Sequence, residues 1–458
     1  MTRANAVPQA PGGLPLVGHA PRLLRGVLEF LRTLPAHGDL VGVRLGPLRT
    51  VVVCEPELTR EFLRSDHIFD KRGPFFGLAR ELAGPNLATC EHGQHRRQRR
   101  LMQPAFARDR FSGYGRIMSR RVSAVADDWR GGQVVDVLPE MQRITMGTLM
   151  EAMFADEMPL PVQRRATADL STIFGGSFLH GVVPGWLAWL PGMRKRMIVQ
   201  AADRLRGDLG VIISGRRADG TDRGDLLSAM LASGGATDRE STGCPHNGNG
   251  NGFTATEIGD QAMALLGAGT DTTAATLAWA LHLLSQHADI QRRIHAEVDD
   301  VLAVAPARLH HLPELTLTGR IVTETLRLYP PAWLVPRVVT ADTVLGGYRL
   351  PAGATVFYSP YVIHHRGDLY EGPERFDPDR WDDSRRPQPP RHAYLPFGAG
   401  ARKCIGDQFA FKEAVLALAT ITARWHLYPV AERPVTAHPG IELRPRGLHL
   451  RVTARPGP

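Results

Sequence analysis

The stretch Pro396-Phe397-Gly398-Ala399-Gly400-Ala401-Arg402-Lys403-Cys404-Ile405-Gly406 sets one cysteine in a loop of small residues, with two cations before it and an apolar run after it. Glycines carry no Cβ, so such a loop turns tightly and lets a flat object come close. Arg402 and Lys403 put positive charge beside the thiol, and a helix expected over Ile405 to Trp425 points its free N–H groups back at the loop. Both effects favour the thiolate, which is the form that binds metals. The plain alternative is a structural cysteine buried in a glycine turn, and the rest of the chain decides between the two.

Composition sets the outer bounds. The 458 residues are 43% hydrophobic and 22% charged, a globular balance, and the length would allow two or three ordinary domains. No apolar run is long enough to span a bilayer, and Met1 to Gly13 is polar and Pro/Gly-rich, which predicts a flexible tail over 1–13 rather than a signal peptide. Cys54, Cys90, Cys244 and Cys404 are widely spaced with no C-x-x-C, which excludes a disulfide framework or zinc ribbon and fits a reduced cytoplasm. The net charge of +9 is spread along the chain without a nucleic-acid-binding module, and it suits docking to an acidic protein.

Apolar periodicity predicts helices over most of the chain. Short β-branched runs, Leu40 to Leu45 and Thr50 to Val53, flank Gly46-Pro47 and read as a hairpin, and Gly73-Pro74-Phe75-Phe76-Gly77 reads as a loop. In the basic run from His92 to Gln103, His95 and Arg99 lie four apart and share one helix face suited to gripping carboxylates. The Gly/Asn-rich stretch over 233–253 reads as a surface linker, and Cys244 and His246 inside it lack the second half of a metal site. A long helix is expected from about Thr256 to Gln286, with Thr254 or Thr256 as N-cap. Its middle, Leu266-Gly267-Ala268-Gly269-Thr270-Asp271-Thr272-Thr273, is too rich in Gly, Thr and acid for a purely structural helix and marks a ligand approach or a bulge. Glu324-Thr325-Leu326-Arg327 follows, then Ala332 to Arg337 as an extended segment, and Val435 to Val452 reads as a terminal hairpin.

These parts converge on one family. Phe397, Gly400, Arg402, Cys404 and Gly406 spell F-x-x-G-x-R-x-C-x-G, which resembles the haem loop of the cytochrome P-450 monooxygenases. Ala268 to Thr273 resembles their oxygen-activating A-G-x-D-T-T segment. His95 and Arg99 resemble their H-x-x-x-R propionate helix, and Glu324 and Arg327 their E-x-x-R, with Arg375 of Pro373-Glu374-Arg375-Phe376 as its third member. The motifs run through nearly the whole chain in the family's order. The resemblance implies a mainly α fold, a single domain over 1–458 built as a triangular helical prism with a small β-rich N-terminal subdomain. It implies haem b ligated by the thiolate of Cys404, with His95, Arg99, Arg337 and Arg402 on the haem carboxylates, and Asp271 and Thr272 as the proton-delivering acid–alcohol pair. It also implies a cytoplasmic monomer fed by a ferredoxin and ferredoxin reductase, with a mobile lid within 160–217.

The expected pocket residues Phe75, Phe76, Phe178, Leu266, Ala268, Trp333 and Leu334 are apolar. Glu324 to Trp333 and Ile363-His364-His365-Arg366 further resemble the family's actinobacterial sesquiterpene oxidases, which implies stepwise oxidation of a hydrocarbon methyl to alcohol and aldehyde in secondary-metabolite biosynthesis. A fatty acid, macrolide or steroid substrate, or a non-catalytic haem-binding sensor, are the other readings.

Overall fold

The β-branched residues on either side of Gly46-Pro47 form the expected hairpin, with Leu40–Leu45 and Leu48–Val53 paired antiparallel from Leu40↔Val53 to Leu45↔Leu48. The structure is a computed structural model that describes the chain except residues 1–4, 156, 183–192, 234–251, 304, 385–387, 431–433 and 456–458. Cys244 and His246, Trp186 and most of the Gly/Asn-rich stretch therefore lie outside the described residues, as does the side chain of Phe178. The chain divides into two compact units, one of residues 1–73, 122–143 and 271–458, the other of residues 74–121 and 144–270.

The first unit carries the strands found among the described residues. In chain order these are β1 (Leu40–Leu45), β2 (Leu48–Val53), β3 (Phe69–Asp70), β4 (Val134–Asp136), β5 (Val335–Val339), β6 (Thr343–Leu345), β7 (Tyr348–Leu350), β8 (Thr355–Tyr358), β9 (Trp425–Pro429), β10 (Thr436–Pro439), β11 (Leu443–Arg446) and β12 (His449–Ala454). Five of them form a sheet in the order β1-β2-β8-β5-β3, so two of its five strands, β5 and β8, come from the C-terminal part of the chain rather than the N-terminal part. Its core is Leu40, Val53, Phe62, Leu63, Phe69, Val339, Val356 and Tyr358. The chain is already bonded to this region ahead of Leu14: the Asn5 amide donates to Gly347 O at 2.8 Å and Ala10 to Gly42 O at 2.9 Å, so the expected 1–13 tail is strapped down from Asn5 on. The predicted terminal hairpin is β10–β11, while β12 leaves it to pair with β4 and β9.

Glu324 and Arg327 are fully buried and paired in two hydrogen bonds of 2.8 Å. Arg327 also donates to the carbonyls of His364, Pro373 and Arg375. The third member expected here, Arg375, does not join through its side chain, which is 64% exposed and bonded to Asp377. Arg380 approaches Glu324 instead at 3.5 Å with its side chain 8% exposed, and Trp381 Nε1 donates to the same carboxylate at 2.8 Å. The short helix at Pro378–Trp381 is what turns Arg380 inward.

The second unit is helical. Gly73–Ala83 is a helix, not the loop expected, and Phe76 on it is buried. Leu160–Val182 and Met193–Asp219, from the predicted lid region, are joined by Arg165–Asp208 and Arg204–Asp169 ion pairs. Arg216, wholly buried, ties Glu157 to Asp225.

The long helix is Ala255–Gln286, and the unit boundary falls within it between Thr270 and Asp271. Its start is a reciprocal capping box, Glu257 N–H to Thr254 Oγ1 at 3.2 Å and Thr254 N–H to Glu257 Oε2 at 2.8 Å. It is helical throughout, so the Gly/Thr run does not break it. Gly269 answers a close approach: a Cβ there would lie 2.8 Å from Leu149 Cδ2.

Candidate active site

The cysteine loop closes on itself before the next helix begins. Cys404 N–H donates to Phe397 O at 2.9 Å, Gly400–Arg402 makes a single 3₁₀ turn, and Asp407–Arg424 starts the helix. Gly400 holds φ +68°, and a Cβ on it would lie 2.4 Å from Leu63 O, so an L-residue there is both strained and blocked. Lys403 bonds Asp407 at 2.6 Å across the loop–helix junction.

Among the described cysteines the sulfur of Cys404 is set apart. Cys54 and Cys90 are buried and Cys404 is exposed. Burial pushes the Cys54 thiol up to about 12, against the pull of Arg366, which makes it inert as a ligand at neutral pH. A structural cysteine would look like Cys54, and Cys404 does not.

Behind the loop stand Tyr358 at the end of β8 and Arg337 in the middle of β5, with Val335 opposite Tyr358 in the sheet register. The Arg337 guanidinium carbon lies 5.9 Å from the Tyr358 ring centroid. Burial pushes Arg337 below the usual arginine range and Tyr358 above the usual phenol range, and the nearby Cys404 adds to the rise at Tyr358. Arg337 donates to the carbonyl of Pro336 at 2.7 Å. A desolvated guanidinium beside an accessible thiol is a donor set that fits a flat cofactor bearing metal and carboxylates.

Arg402 has carboxylate partners within the protein. Its Nε bonds Asp66 and its second amino group bonds Asp70, each at 3.1 Å, with the Arg402 side chain 2% exposed. Asp70 lies on β3, so this pair clamps the cysteine loop to the edge of the sheet.

Asp271 is the first residue of the long helix inside the first unit, and Gln142 Nε2 donates to its Oδ1 at 2.8 Å. One turn beyond, Thr276 Oγ1 donates to the Thr272 carbonyl at 2.9 Å. The Thr273 hydroxyl is buried without a hydrogen-bond partner. On the sheet side, Trp333 is buried with Nε1 donating to Gly440 O at 2.9 Å, and Trp279 Nε1 donates to Leu443 O at 3.1 Å. These two indoles fix the β10–β11 turn, in which Glu442 is 8% exposed and burial pushes its carboxyl up to about 7, the Asp271 charge adding to the rise.

His95 and Arg99 stand in the second unit on the helix His92–Met102, one turn apart, with His95 buried. Arg97 between them is committed elsewhere, bonding Glu257 at 2.6 Å. Sequence reasoning missed Gln142, Asp66 and Asp70. Each is an ordinary polar residue distant in sequence from its partner. The inward arginine, Arg380, did have a signal, the Phe376-Asp377-Pro378-Asp379-Arg380-Trp381 run, which the nearer Arg375 obscured.

Residues 8–450 match the family model described as cytochrome P450. The chain is 40% identical over 455 residues to pentalenene oxygenase of Streptomyces avermitilis, covering 97% of each chain. It is 41% identical to cyclooctatin synthase of Streptomyces melanosporofaciens, over 98% of this chain and 94% of the relative. It is 40% identical to cyclooctat-9-en-7-ol 5-monooxygenase of the same organism, over 92% and 89%. The haem domain of cytochrome P450DA superposes with a TM-score of 0.86 at 26% identity, covering 99% of both chains. No helix among the described residues is long and apolar enough to cross a membrane. The exposed Cys404 in its closed loop, the buried Glu324–Arg327 lock and the acid–alcohol turn of the long helix thus sit in a chain that belongs to the cytochrome P450 family, and it is a haem-thiolate monooxygenase.

Proposed function

We propose that the chain oxidises a polycyclic terpene, a sesquiterpene hydrocarbon of the pentalenene kind first, by successive oxygen insertions at an unactivated carbon. The observation that carries this reading is the identity of about 40% across nearly full length to relatives named for pentalenene and cyclooctat-9-en-7-ol. The apolar residues Leu266 and Trp333, both buried, support it.

In this reading Cys404 is the thiolate ligand of the haem, with its amide held to Phe397 O so that the sulfur stays presented. Arg337, His95 and Arg99 hold the haem carboxylates. Arg402 supports the same end of the cofactor while anchored to Asp66 and Asp70. Haem, when bound, supplies the oxygen activation and transfer that no side chain can perform. Each insertion consumes two electrons and two protons per O2, with water as the second product. Asp271 passes the protons from its carboxylate, Gln142 holds that carboxylate in place through Oδ1, and the Thr272 hydroxyl orients the water that receives them. The electrons come singly from an acidic ferredoxin and its reductase, a pairing that the net charge of +9 supports, and the enzyme works as a cytoplasmic monomer.

The test is spectroscopic and then chemical. The reduced carbon-monoxide complex is expected to show the strongly red-shifted Soret band of thiolate ligation, and Cys404→Ser to lose it; an unchanged band would remove Cys404 as ligand. Substrate difference spectra are then taken with terpenes, fatty acids and steroids. A fatty acid binding more tightly than any terpene would overturn the substrate assignment.

A further inference from the structure

His364 closes the short helix Pro360–His364 that follows β8, and its side chain is wholly buried. Both ring nitrogens are engaged by backbone groups. Nδ1 stands 3.1 Å from Arg327 O, and Leu395 N–H donates to Nε2 at 2.9 Å. A carbonyl can only accept and an amide N–H can only donate, so these partners fix the proton on Nδ1 and leave Nε2 as the acceptor. The ring is therefore neutral in the fold, and burial and the Arg327 charge keep it so. Its orientation is held as well. Tyr394 stacks on it at 5.5 Å and 21°, and the Tyr370 ring meets it edge-on at 6.4 Å.

The Leu395 amide is the place where the cysteine loop can be held from upstream. Pro396 has no N–H, so Leu395 offers the last backbone donor before Phe397. Leu395 O then accepts from Gly398 N–H at 3.0 Å, Gly398 holds φ +67°, and Phe397 O accepts from Cys404 N–H at 2.9 Å. The bonds therefore run without a gap from Arg327 O through the His364 ring to Leu395, and from the turn that Leu395 opens to Cys404. The downstream arm of the loop has its own anchors in Arg402 and Lys403. Upstream, Tyr370 Oη donates to Ala393 O at 3.0 Å and Tyr394 Oη to Thr323 O at 3.2 Å. Those two bonds hold the approach to the turn, and His364 holds the residue that opens it.

We propose that His364 is a positioning residue for the thiolate: its Nε2 lone pair holds the upstream arm of the cysteine loop so that the Cys404 sulfur stays presented as the ligand. It touches neither substrate nor cofactor and acts through Leu395 and Phe397. The two ring bonds do separate things. Nδ1–H to Arg327 O fastens the ring to the Glu324–Arg327 lock, and Nε2 passes that fixity to the loop. Without Nε2 the Leu395 amide, on a residue 4% exposed, is buried with no acceptor, and it is relieved only if the turn moves. The proposal rests on Cys404 as the ligand, and its test separates the two.

The test compares haem-loaded His364→Asn, His364→Gln and His364→Phe with wild type. An Asn amide N–H reproduces the Nδ1 donor and a Gln amide oxygen reproduces the Nε2 acceptor, so each keeps one of the two bonds and Phe keeps neither. The readout is the rate at which the red-shifted Soret band of the reduced carbon-monoxide complex gives way, under mild warming, to the unshifted band of a lost thiolate. That rate is set against each variant's denaturant midpoint. Asn and Phe are expected to speed the loss roughly tenfold, as one unsatisfied buried donor implies, and Gln to stay within about twofold of wild type. A merely structural role would make Asn and Gln, each one bond short, lose the band in step with their midpoints, and that result overturns the proposal. Ring-nitrogen NMR of the wild-type carbon-monoxide complex needs no variant. It is expected to show His364 protonated at Nδ1 alone, and a proton on Nε2 overturns the proposal too. A wild type with no red-shifted band overturns the assignment of Cys404 instead.

Discussion

At the scale of single residues the site is a set of decisions about where charge is left. The Arg402 side chain is met by Asp66 and Asp70, which anchors the cysteine loop to the sheet, while Arg337 is buried beside the Tyr358 ring, where the same two aspartates also favour its charge. Thr272 is a decision of the same kind. Its backbone carbonyl accepts from the Thr276 hydroxyl at 2.9 Å within a regular helix. Thr272→Ala is therefore expected to fold and take up haem as wild type does, and to release most of its reducing equivalents as hydrogen peroxide. Measured coupling of NADPH oxidation to product checks this, and full coupling would take Thr272 out of proton delivery.

At the scale of elements, the Glu324–Arg327 pair shows how a helix is locked to irregular chain. Arg327 reaches three carbonyls of the segments after it, and Glu324 gathers Arg380, Trp381 and the Asp377 amide. Breaking such a buried network leaves an unpaired charge, so Arg327→Ala is expected to cost roughly 3–5 kcal/mol. Arg380→Ala should cost less, because its contact is longer and one-sided, and Arg375→Ala, at the surface, should stay within about 0.5 kcal/mol of wild type. Denaturant melts of the three variants check the order. Equal losses in Arg375→Ala and Arg380→Ala would contradict the assignment of Arg380 as the inward arginine.

At the scale of the whole molecule, buried titratable groups set how stability depends on pH. Burial lowers His295 to about 4 and His365 to about 3. The unfolded chain takes up these protons first, near the ordinary histidine value of 6.5, so both residues destabilise the fold as pH drops below it. Glu442, raised to about 7, works the other way and favours the fold as pH drops. His364, lowered well below the ordinary histidine value, adds to the loss on acidification and Asp260, raised to about 6, works with Glu442 against it. His365→Asn is expected to flatten that acid limb and Glu442→Gln to steepen it. Thermal melts across pH 4.5 to 7.5 read both signs.

How much of this could be read beforehand depended on range. The cysteine loop, an N-cap at Thr254 or Thr256 before the long helix, the β1–β2 hairpin and the Glu324–Arg327 spacing are local patterns, set by glycines, caps and periodicity within a dozen residues, and they were legible in the sequence. The loop expected at Gly73 to Gly77 became a helix because Phe76 is buried, which propensity alone does not register. Arg380 rather than Arg375, Asp66 and Asp70 on Arg402, and Gln142 on Asp271 were decided by tertiary structure. An ion pair or a buried acid between residues a hundred or more positions apart leaves no periodicity in the chain. Its energy depends on which side chains the packed core removes from water, and only the folded arrangement of strands and helices determines that.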